Sequence, residues 1–185
     1  MKIKFIINPI AGGKNNQDIE RIIDQYLDSK RFNHDICYTN YPLHAKKISK
    51  KAVEDGYDAI IGVGGDGTVN EISSELIHSK TALGIIPSGS GNGFAFHIGM
   101  KKDIKNSISQ LNTSKIHTID SCVANNHPFI NVSGIGFDAY IAKLFSTSKD
   151  RGFLNYIKLI IKNLQYKAKD YTIKYNNQER DINAI

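Results

Sequence analysis

Residues 59–77 combine glycines, a carboxylate and a threonine in a spacing that suits phosphate chemistry. The apolar run 59–63 predicts a buried strand, and the apolar spacing over 69–77 predicts a helix. Between them lies Gly64-Gly65-Asp66-Gly67-Thr68. Glycines let the main chain approach a ligand closely, and the first N–H groups of a helix bind phosphate. A carboxylate beside phosphate needs a metal ion or a reacting hydroxyl between them. This turn therefore predicts phosphate with Mg²⁺, or phosphate with a general base.

The same glycines match two better-known phosphate motifs only in part. Gly62, Gly64 and Gly67 have the spacing of the dinucleotide fingerprint, which also needs an acidic residue about 20 residues further on. Residues 83–88 contain no acidic residue, and the P-loop pattern GxxxxGK[ST] is absent from the sequence. The turn thus favours a phosphate site of another type over a tight turn without a ligand.

Two further strand ends carry small residues and hydrogen-bond donors. A strand over 2–8 leads into residues 8–16, where Lys14 could neutralise a phosphate, and a strand over 82–86 leads into the glycine-rich residues 87–95. A strand over 32–39 ends at Thr39. The carboxyl ends of parallel strands meet at one sheet edge, where α/β proteins bind ligands. We therefore expect the glycine-rich turns to share one phosphate site.

The remaining pattern divides the chain into two regions. Helical periods over 17–27, 43–55 and 103–111 alternate with the strands, which predicts an α/β domain over 1–113 with a parallel sheet flanked by helices. Strand-like runs over 116–124 and 128–133 flank Asn125-Asn126, which is typical of a hairpin. Helices over 139–145 and 152–168, a strand over 171–175, a turn at Asn176-Asn177 and an element from Ile182 follow. We predict the start of an antiparallel β-rich domain over 114–185.

Composition restricts the class of protein and its partners. The chain has 185 residues, 41% of them hydrophobic, and a net charge of +6 that lies entirely within residues 143–174. No apolar run is long enough to cross a membrane, and we interpret residues 1–8 as a strand rather than a signal peptide. Cys37 and Cys122 are interpreted as buried reduced thiols of a cytosolic protein. The basic segment lacks interleaved aromatic residues, which disfavours a nucleic-acid partner.

The segment 153–169 has the pattern of a basic amphipathic helix. Phe153, Ile157, Ile160 and Leu164 form an apolar stripe, and several lysines lie off it. Such a helix can bind an anionic membrane surface, although the same pattern more often places the stripe in a core and the lysines in solvent. We favour the core.

Three motifs together resemble the signature turns of the diacylglycerol kinase catalytic domain family, which includes bacterial lipid kinases and sphingosine and ceramide kinases. The motifs are Asn8-Pro9-x-Ala11-Gly12, Gly64-Gly65-Asp66-Gly67-Thr68-x-Asn70-Glu71 and Pro87-x-Gly89-Ser90-Gly91-Asn92. Residues 129–138 are similar to the second domain of the family, so the resemblance covers nearly the whole chain. It implies a nucleotide-binding α/β domain like those of phosphofructokinase and NAD kinase, followed by a β-rich domain, with ATP in the cleft between them.

The resemblance also implies roles for individual residues. The nucleotide-contacting positions are Asn8, Pro9, Ile10, Ala11, Gly12, Thr39, Gly64, Gly65, Asp66, Gly67, Thr68, Val69, Asn70, Glu71 and Ser90. Asp66 matches the catalytic aspartate, either as a general base or as the organiser of phosphate and Mg²⁺. Asp138 matches an acid that faces the lipid head group in sphingosine kinases. The metal ligands are not identified. Gly93 and Phe96 depart from the Asp and Arg of many members, and Ser90 from the usual bacterial Thr.

The implied activity is transfer of the γ-phosphate of ATP, with Mg²⁺, to a lipid hydroxyl in phospholipid biosynthesis. The protein would be cytoplasmic or peripheral at the inner membrane face. The acceptor stays open among diacylglycerol, phosphatidylglycerol, sphingoid bases and undecaprenol. An NAD kinase and a non-catalytic nucleotide- or membrane-binding module are the alternatives. Family members continue beyond the position that matches Ile185, so we expect a fragment that binds nucleotide poorly and phosphorylates lipid little or not at all by itself. The apolar edges of its incomplete β-rich domain would favour homo-oligomers.

Overall fold

The computed structural model describes residues 1–13, 18–148 and 152–185. These residues form two compact units, Met1–Asn131 and Val132–Ile185. The predicted phosphate contact of Lys14 lies outside the described residues.

The first unit alternates strands and helices. The strands are β1 (Lys2–Ile7), β2 (Asn33–Tyr38), β3 (Ala59–Gly64) and β4 (Ala82–Pro87). The helices are α1 (Ile19–Tyr26), α2 (His44–Glu54), α3 (Asp66–Leu76), α4 (Gly93–His97) and α5 (Ile104–Leu111). A 3₁₀ turn, Ala11–Gly13, follows β1, and a short hairpin of β5 (Cys122–Ala124) and β6 (His127–Phe129) ends the unit.

The four strands β1 to β4 form one parallel sheet in the order β2-β1-β3-β4. The prediction of an α/β fold with a parallel sheet is confirmed. From β1 the chain moves outward to β2, and from β3 it moves outward in the opposite direction to β4. The order therefore reverses between β1 and β3, which is where open α/β sheets form a crevice beyond the carboxyl ends of their strands.

Apolar side chains on both faces of the sheet hold the helices in place. On one face Phe5 and Ile61 pack with Ile23 of α1 and Ile108 of α5. On the other face Ile6 of β1 and Ile60 of β3 pack with Ile72 of α3 and with residues of α2. Every residue of β3 is buried, as expected for a central parallel strand that is covered on both sides.

Two elements of the first unit differ from the sequence prediction. Helix α3 begins at Asp66 and not at residue 69, because Gly65 is the extended N-cap and a carboxylate in the first turn suits the positive end of the helix dipole. Helix α4 was not predicted.

The hairpin β5–β6 belongs to the first unit, where Ile130 contacts the cluster of Val69 and Ile85. The division of the chain thus falls after Asn131, later than the proposed domain boundary at 113.

The second unit contains α6 (Phe137–Thr147), α7 (Phe153–Lys162), β7 (Lys169–Tyr175) and β8 (Gln178–Ala184). Strands β7 and β8 pair in antiparallel fashion around Asn176-Asn177, whose φ angles of 46° and 59° are those of a hairpin turn. Strand β8 starts at Gln178, before the element expected from Ile182.

Helix α7 is shorter and more exposed than predicted. It ends at Lys162 because the chain turns at Asn163, whose side-chain amide donates to the Leu159 carbonyl at 2.8 Å. Ile157 and Ile160 are half-buried, whereas Leu164 is exposed. The neighbouring Leu154 and Ile161 are exposed as well, by 83% and 62%. The predicted core stripe is therefore wrong for Leu164.

Two further properties concern the described residues as a whole. Cys37 is half-buried and Cys122 is exposed, so the expectation of a buried thiol is wrong for Cys122, although neither forms a disulfide. Within the described ranges, none of the helices combines the length and apolarity needed to cross a bilayer.

Replacing Ile60 by Ala should lower the free energy of unfolding by about 2–5 kcal/mol, because Ile60 is fully buried between the sheet and α2. Ile116→Ala is the matched control, since Ile116 is 69% exposed, and it should change this free energy by less than about 0.5 kcal/mol. Urea denaturation measures both. An equal loss of unfolding free energy in the two variants would contradict the burial of Ile60 in the core.

Candidate functional site

A cleft of about 440 Å³ opens at the carboxyl edge of the sheet. It lies between the ends of β1 and β2 and the first turns of α2 and α3, which is the edge expected to bind ligands. Its lining residues are Asn8, Pro9, Ile10, Thr39, Asn40, Tyr41, Pro42, Ala45, Thr68 and Glu71. The structure thus brings together residues of the first turn, the second turn and the loop after β2.

The side chain of Asn8 shapes the first turn and connects it to the second. Its Oδ1 accepts the main-chain N–H of Ile10 at 3.2 Å, and its carbonyl accepts the N–H of Ala11 at 3.2 Å. The side-chain amide donates to Thr68 Oγ1 at 3.1 Å. The Asn8 main-chain N–H donates to the Val63 carbonyl at 2.9 Å. Asn8 therefore fixes both turns at the floor of the cleft.

The first turn also lies against the third. Gly12 has a φ of 66°, and a Cβ at this position would overlap the carbonyl oxygen of Ser88. Only glycine combines this backbone conformation with so close an approach. The first turn is therefore held between its two neighbours.

The second and third turns contact each other through their main chains. The Ser88 N–H donates to the Gly64 carbonyl at 2.9 Å. A Cβ on Gly89 would overlap the Cα of Gly65. All three turns are consequently adjacent in space, as the argument from strand ends predicts.

Asp66 is the first residue of α3 and its side chain is exposed. Its Oδ2 accepts the main-chain N–H of Asn92 at 2.8 Å, and its Oδ1 is 3.4 Å from the main-chain nitrogen of Phe94. The carboxylate therefore holds the third turn with both oxygens. Its exposure leaves it accessible to a ligand as well.

The loop after β2 was recognised from the sequence only through Thr39. Glu71 Oε1 accepts the main-chain N–H of Leu43 at 3.2 Å, so this carboxylate holds the loop. The rings of Tyr41 and His44 stack with their centroids 4.3 Å apart. The lining residues Asn40, Tyr41 and Pro42 were missed, yet they immediately follow a parallel strand. Extending the strand-end argument from Thr39 to the whole loop would have found them.

The other positions in the glycine motifs differ in exposure. Gly67, Asn70 and Ser90 are exposed. The side chain of Val69 is 4% exposed and packs with Ile85, so only the main chain of Val69 can meet a ligand.

The sequence profile of the diacylglycerol kinase catalytic domain matches residues 2–124. The chain belongs to this family. A diacylglycerol kinase of Staphylococcus saprophyticus is 30% identical over 183 residues, covering 96% of this chain and 60% of the relative. Sphingosine kinase B of Dictyostelium discoideum is 33% identical over 107 residues, covering 54% of this chain and 14% of the relative.

The fold is also similar to solved structures. The crystal structure of a diacylglycerol kinase from Bacillus anthracis superposes with a TM-score of 0.74 at 27% identity, covering 98% of this chain and 61% of that one. The chain thus spans less than two thirds of each of these three proteins. The family match confirms the resemblance that the three glycine-rich motifs imply.

In this kinase family member, Asp138 belongs to the second unit. It lies in the first turn of α6, and its Oδ1 accepts the Tyr156 hydroxyl at 3.1 Å. Burial of the hydroxyl, together with this hydrogen bond, raises the pKa of Tyr156. The role of Asp138 toward a lipid stays a prediction.

The described residues fit a Mg²⁺ ion only in association with phosphate. Among them, no group of three or more His, Cys, Asp or Glu side chains could enclose a metal ion. Mg²⁺ at phosphate sites commonly uses one or two protein carboxylates and takes its other ligands from phosphate and water. The exposed Asp66 could supply such a ligand.

Replacing Gly89 by Ala should lower the free energy of unfolding by about 1–3 kcal/mol, because the new methyl group would collide with the main chain of Gly65. Gly67→Ala is the control. It adds the same methyl group inside the first turn of α3, where no described atom outside the neighbouring helical backbone lies within 4 Å, and it should keep or raise stability. Chemical denaturation compares them. A Gly89→Ala protein as stable as the Gly67→Ala protein would contradict the close contact of the two turns.

Proposed function

We propose that this family member is an ATP-dependent lipid kinase, which transfers the terminal phosphate of ATP to a hydroxyl group of a lipid. The observation that carries the proposal is the meeting of three small-residue turns at the carboxyl edge of a parallel sheet, near its switch point. The first two of these turns line the cleft together with the loop after β2, and the third packs against both of them. The family supports the reaction type. The relatives named above include a diacylglycerol kinase and a sphingosine kinase, which supports a lipid acceptor.

The second turn supplies the phosphate-binding groups. The first N–H groups of α3 have no carbonyl partner within the helix, and the N-cap residue, Gly65, forms no side-chain hydrogen bond to them. They carry the positive end of the helix dipole, which attracts phosphate. The exposure of Gly67 keeps this end open. The wall of the cleft formed by Thr39 and Tyr41 would then receive the nucleoside part of ATP.

Asp66 is the residue that would act at the transferred phosphate. Phosphoryl transfer depends mainly on positioning and on neutralisation of charge, and an attacking hydroxyl needs an acceptor for its proton. Mg²⁺, when bound with ATP, would neutralise phosphate charge there. Asp66 either accepts the proton of the lipid hydroxyl or holds the ion, and both tasks need the same exposed carboxylate.

A lipid acceptor requires contact with a membrane surface. In α7, the exposed Leu154 and Ile161 are accompanied by the exposed Lys158 and Lys162. Apolar and basic side chains together on an exposed helix suit the interface of an anionic membrane. We therefore include peripheral membrane contact in the proposal, and the assay below presents the lipid in anionic vesicles.

Replacing Thr68 by Val should weaken ATP binding about tenfold, because it removes the hydroxyl that accepts the Asn8 amide at the floor of the cleft. Thr81→Val is the matched control, since the Thr81 hydroxyl donates to the Tyr57 carbonyl at 2.9 Å and lies outside the cleft lining. Titration calorimetry with ATP and Mg²⁺ measures both affinities. If ATP fails to bind the unmodified chain, the proposed nucleotide site is wrong.

Replacing Asp66 by Asn should reduce phosphate transfer by at least about 10²-fold, because the proton acceptor or metal ligand is lost. Asp103→Asn is the control, because Asp103 likewise accepts a main-chain N–H at the start of a helix, that of Asn106 at 2.9 Å. Transfer of ³²P from ATP to diacylglycerol and sphingosine in anionic vesicles measures the rate. Undiminished transfer by the Asp66→Asn protein would rule out the assigned role.

The same assay decides between the alternatives. It includes NAD as an acceptor, and it compares this chain with a form lengthened by the part of the Staphylococcus saprophyticus relative outside the match. Labelled lipid supports the proposal. Labelled NAD would replace it by an NAD kinase, and ATP binding without transfer by either form would replace it by a passive binding module.

A further inference from the structure

Asn92 stands out among the residues of the first unit that the proposed reaction does not use. It is 7% exposed and adopts a left-handed conformation, with φ 62° and ψ 36°. Asparagine tolerates this conformation better than other residues with a side chain. A buried polar side chain in such a conformation needs partners, and those of Asn92 lie within its own turn.

The Asn92 side chain closes the third turn on itself. Its Nδ2 donates to the Gly89 carbonyl at 2.7 Å, and its Oδ1 accepts the Gly89 N–H at 2.8 Å. Both ends of the amide are thus bound to the two main-chain groups of one residue. Because the main chain of Gly89 packs closely on that of Gly65, the position of Asn92 is fixed relative to the second turn.

The closed turn then holds the carboxylate of Asp66. The main-chain N–H of Asn92 donates to Oδ2 at 2.8 Å, and the Phe94 nitrogen is 3.4 Å from Oδ1. A Cβ on Gly91 would lie 3.0 Å from Oδ2, so the turn also limits the space around the carboxylate. Among the described residues, no cation forms a salt bridge with Asp66. Main-chain groups of the third turn are therefore what orients it.

We propose that Asn92 is a positioning residue for the reaction, which locks the third turn so that its main-chain N–H groups aim the carboxylate of Asp66. The inference rests on the proposed function, in which Asp66 acts at the transferred phosphate. Asn92 itself does not touch the reacting atoms. Its contribution is the fixed direction of another residue's carboxylate, and small misplacements of catalytic groups are costly in rate.

The test uses Asn92→Gly in the 185-residue chain, because glycine accepts the left-handed conformation and keeps the main-chain N–H while removing the side-chain amide. The control is Asn112→Ala. The side-chain amide of Asn112 also bridges main-chain groups, but outside the third turn. Its Nδ2 donates to the Tyr26 carbonyl at 2.8 Å, and its Oδ1 accepts the Asp28 N–H at 2.9 Å. Both variants lose an amide that bridges main-chain groups, but only one of these amides belongs to the third turn.

The first readout is amide hydrogen exchange measured by NMR, which needs no catalysis. In Asn92→Gly the amides of position 92 and Phe94 should exchange about tenfold faster than in the unmodified chain, because their acceptor is no longer held in place. Asp66→Ala should accelerate the same two amides, and Asn112→Ala should leave them unchanged. Unchanged exchange of both amides in Asn92→Gly would overturn the proposal.

The second readout separates rate from binding. Asn92→Gly should lower the rate constant of phosphate transfer about 10²-fold, while the Kd for ATP changes less than about threefold. Parallel losses of affinity and rate would indicate a merely structural role and overturn the proposal. If neither the unmodified chain nor the lengthened form transfers phosphate, the proposed function fails, and the exchange rates still decide whether Asn92 holds Asp66.

Discussion

The contact between the main chains of Gly65 and Gly89 is the constraint on which the rest of the site depends. No side chain fits between these two residues, so the turns after β3 and β4 lie directly against each other. Gly12 brings the turn after β1 to the same place by packing on Ser88. A larger residue at any of these contacts would separate the turns. Three loops that are far apart in sequence would then lose their common surface.

Asp66 combines a structural contact with the proposed chemical role. Its carboxylate accepts N–H groups from the third turn and is still exposed toward solvent. Glu71 is used in a similar way, since it holds the loop after β2 through the N–H of Leu43. The acidic residues of the glycine motif thus help to build the cleft. Losses of activity on replacing either acid therefore combine lost chemistry with lost geometry, which is why each needs a control at a comparable hydrogen bond.

Hydrophobic period and strand-end reasoning predict the sheet, most of its helices and the meeting of the three turns. They do not predict α4, because five residues are too few to show a period and the helix start depends on Asp66, 26 residues before Asn92. The roles of Asn40 and Tyr41 depend on the path of a loop, which local pattern does not determine. Leu164 is exposed and lies beyond Lys162, the last residue of α7, so the helical spacing that predicted its burial does not extend to it.

The central claim is that the turns after β1, β3 and β4 and the loop after β2 form one site for ATP. Mapping of backbone amide chemical shifts during titration with ATP and Mg²⁺ tests it most directly. The account predicts that the shifted amides concentrate in residues 8–12, 39–45, 64–71 and 88–91. Saturable binding whose shifted amides lie mainly outside these segments, or no binding at all, would contradict it.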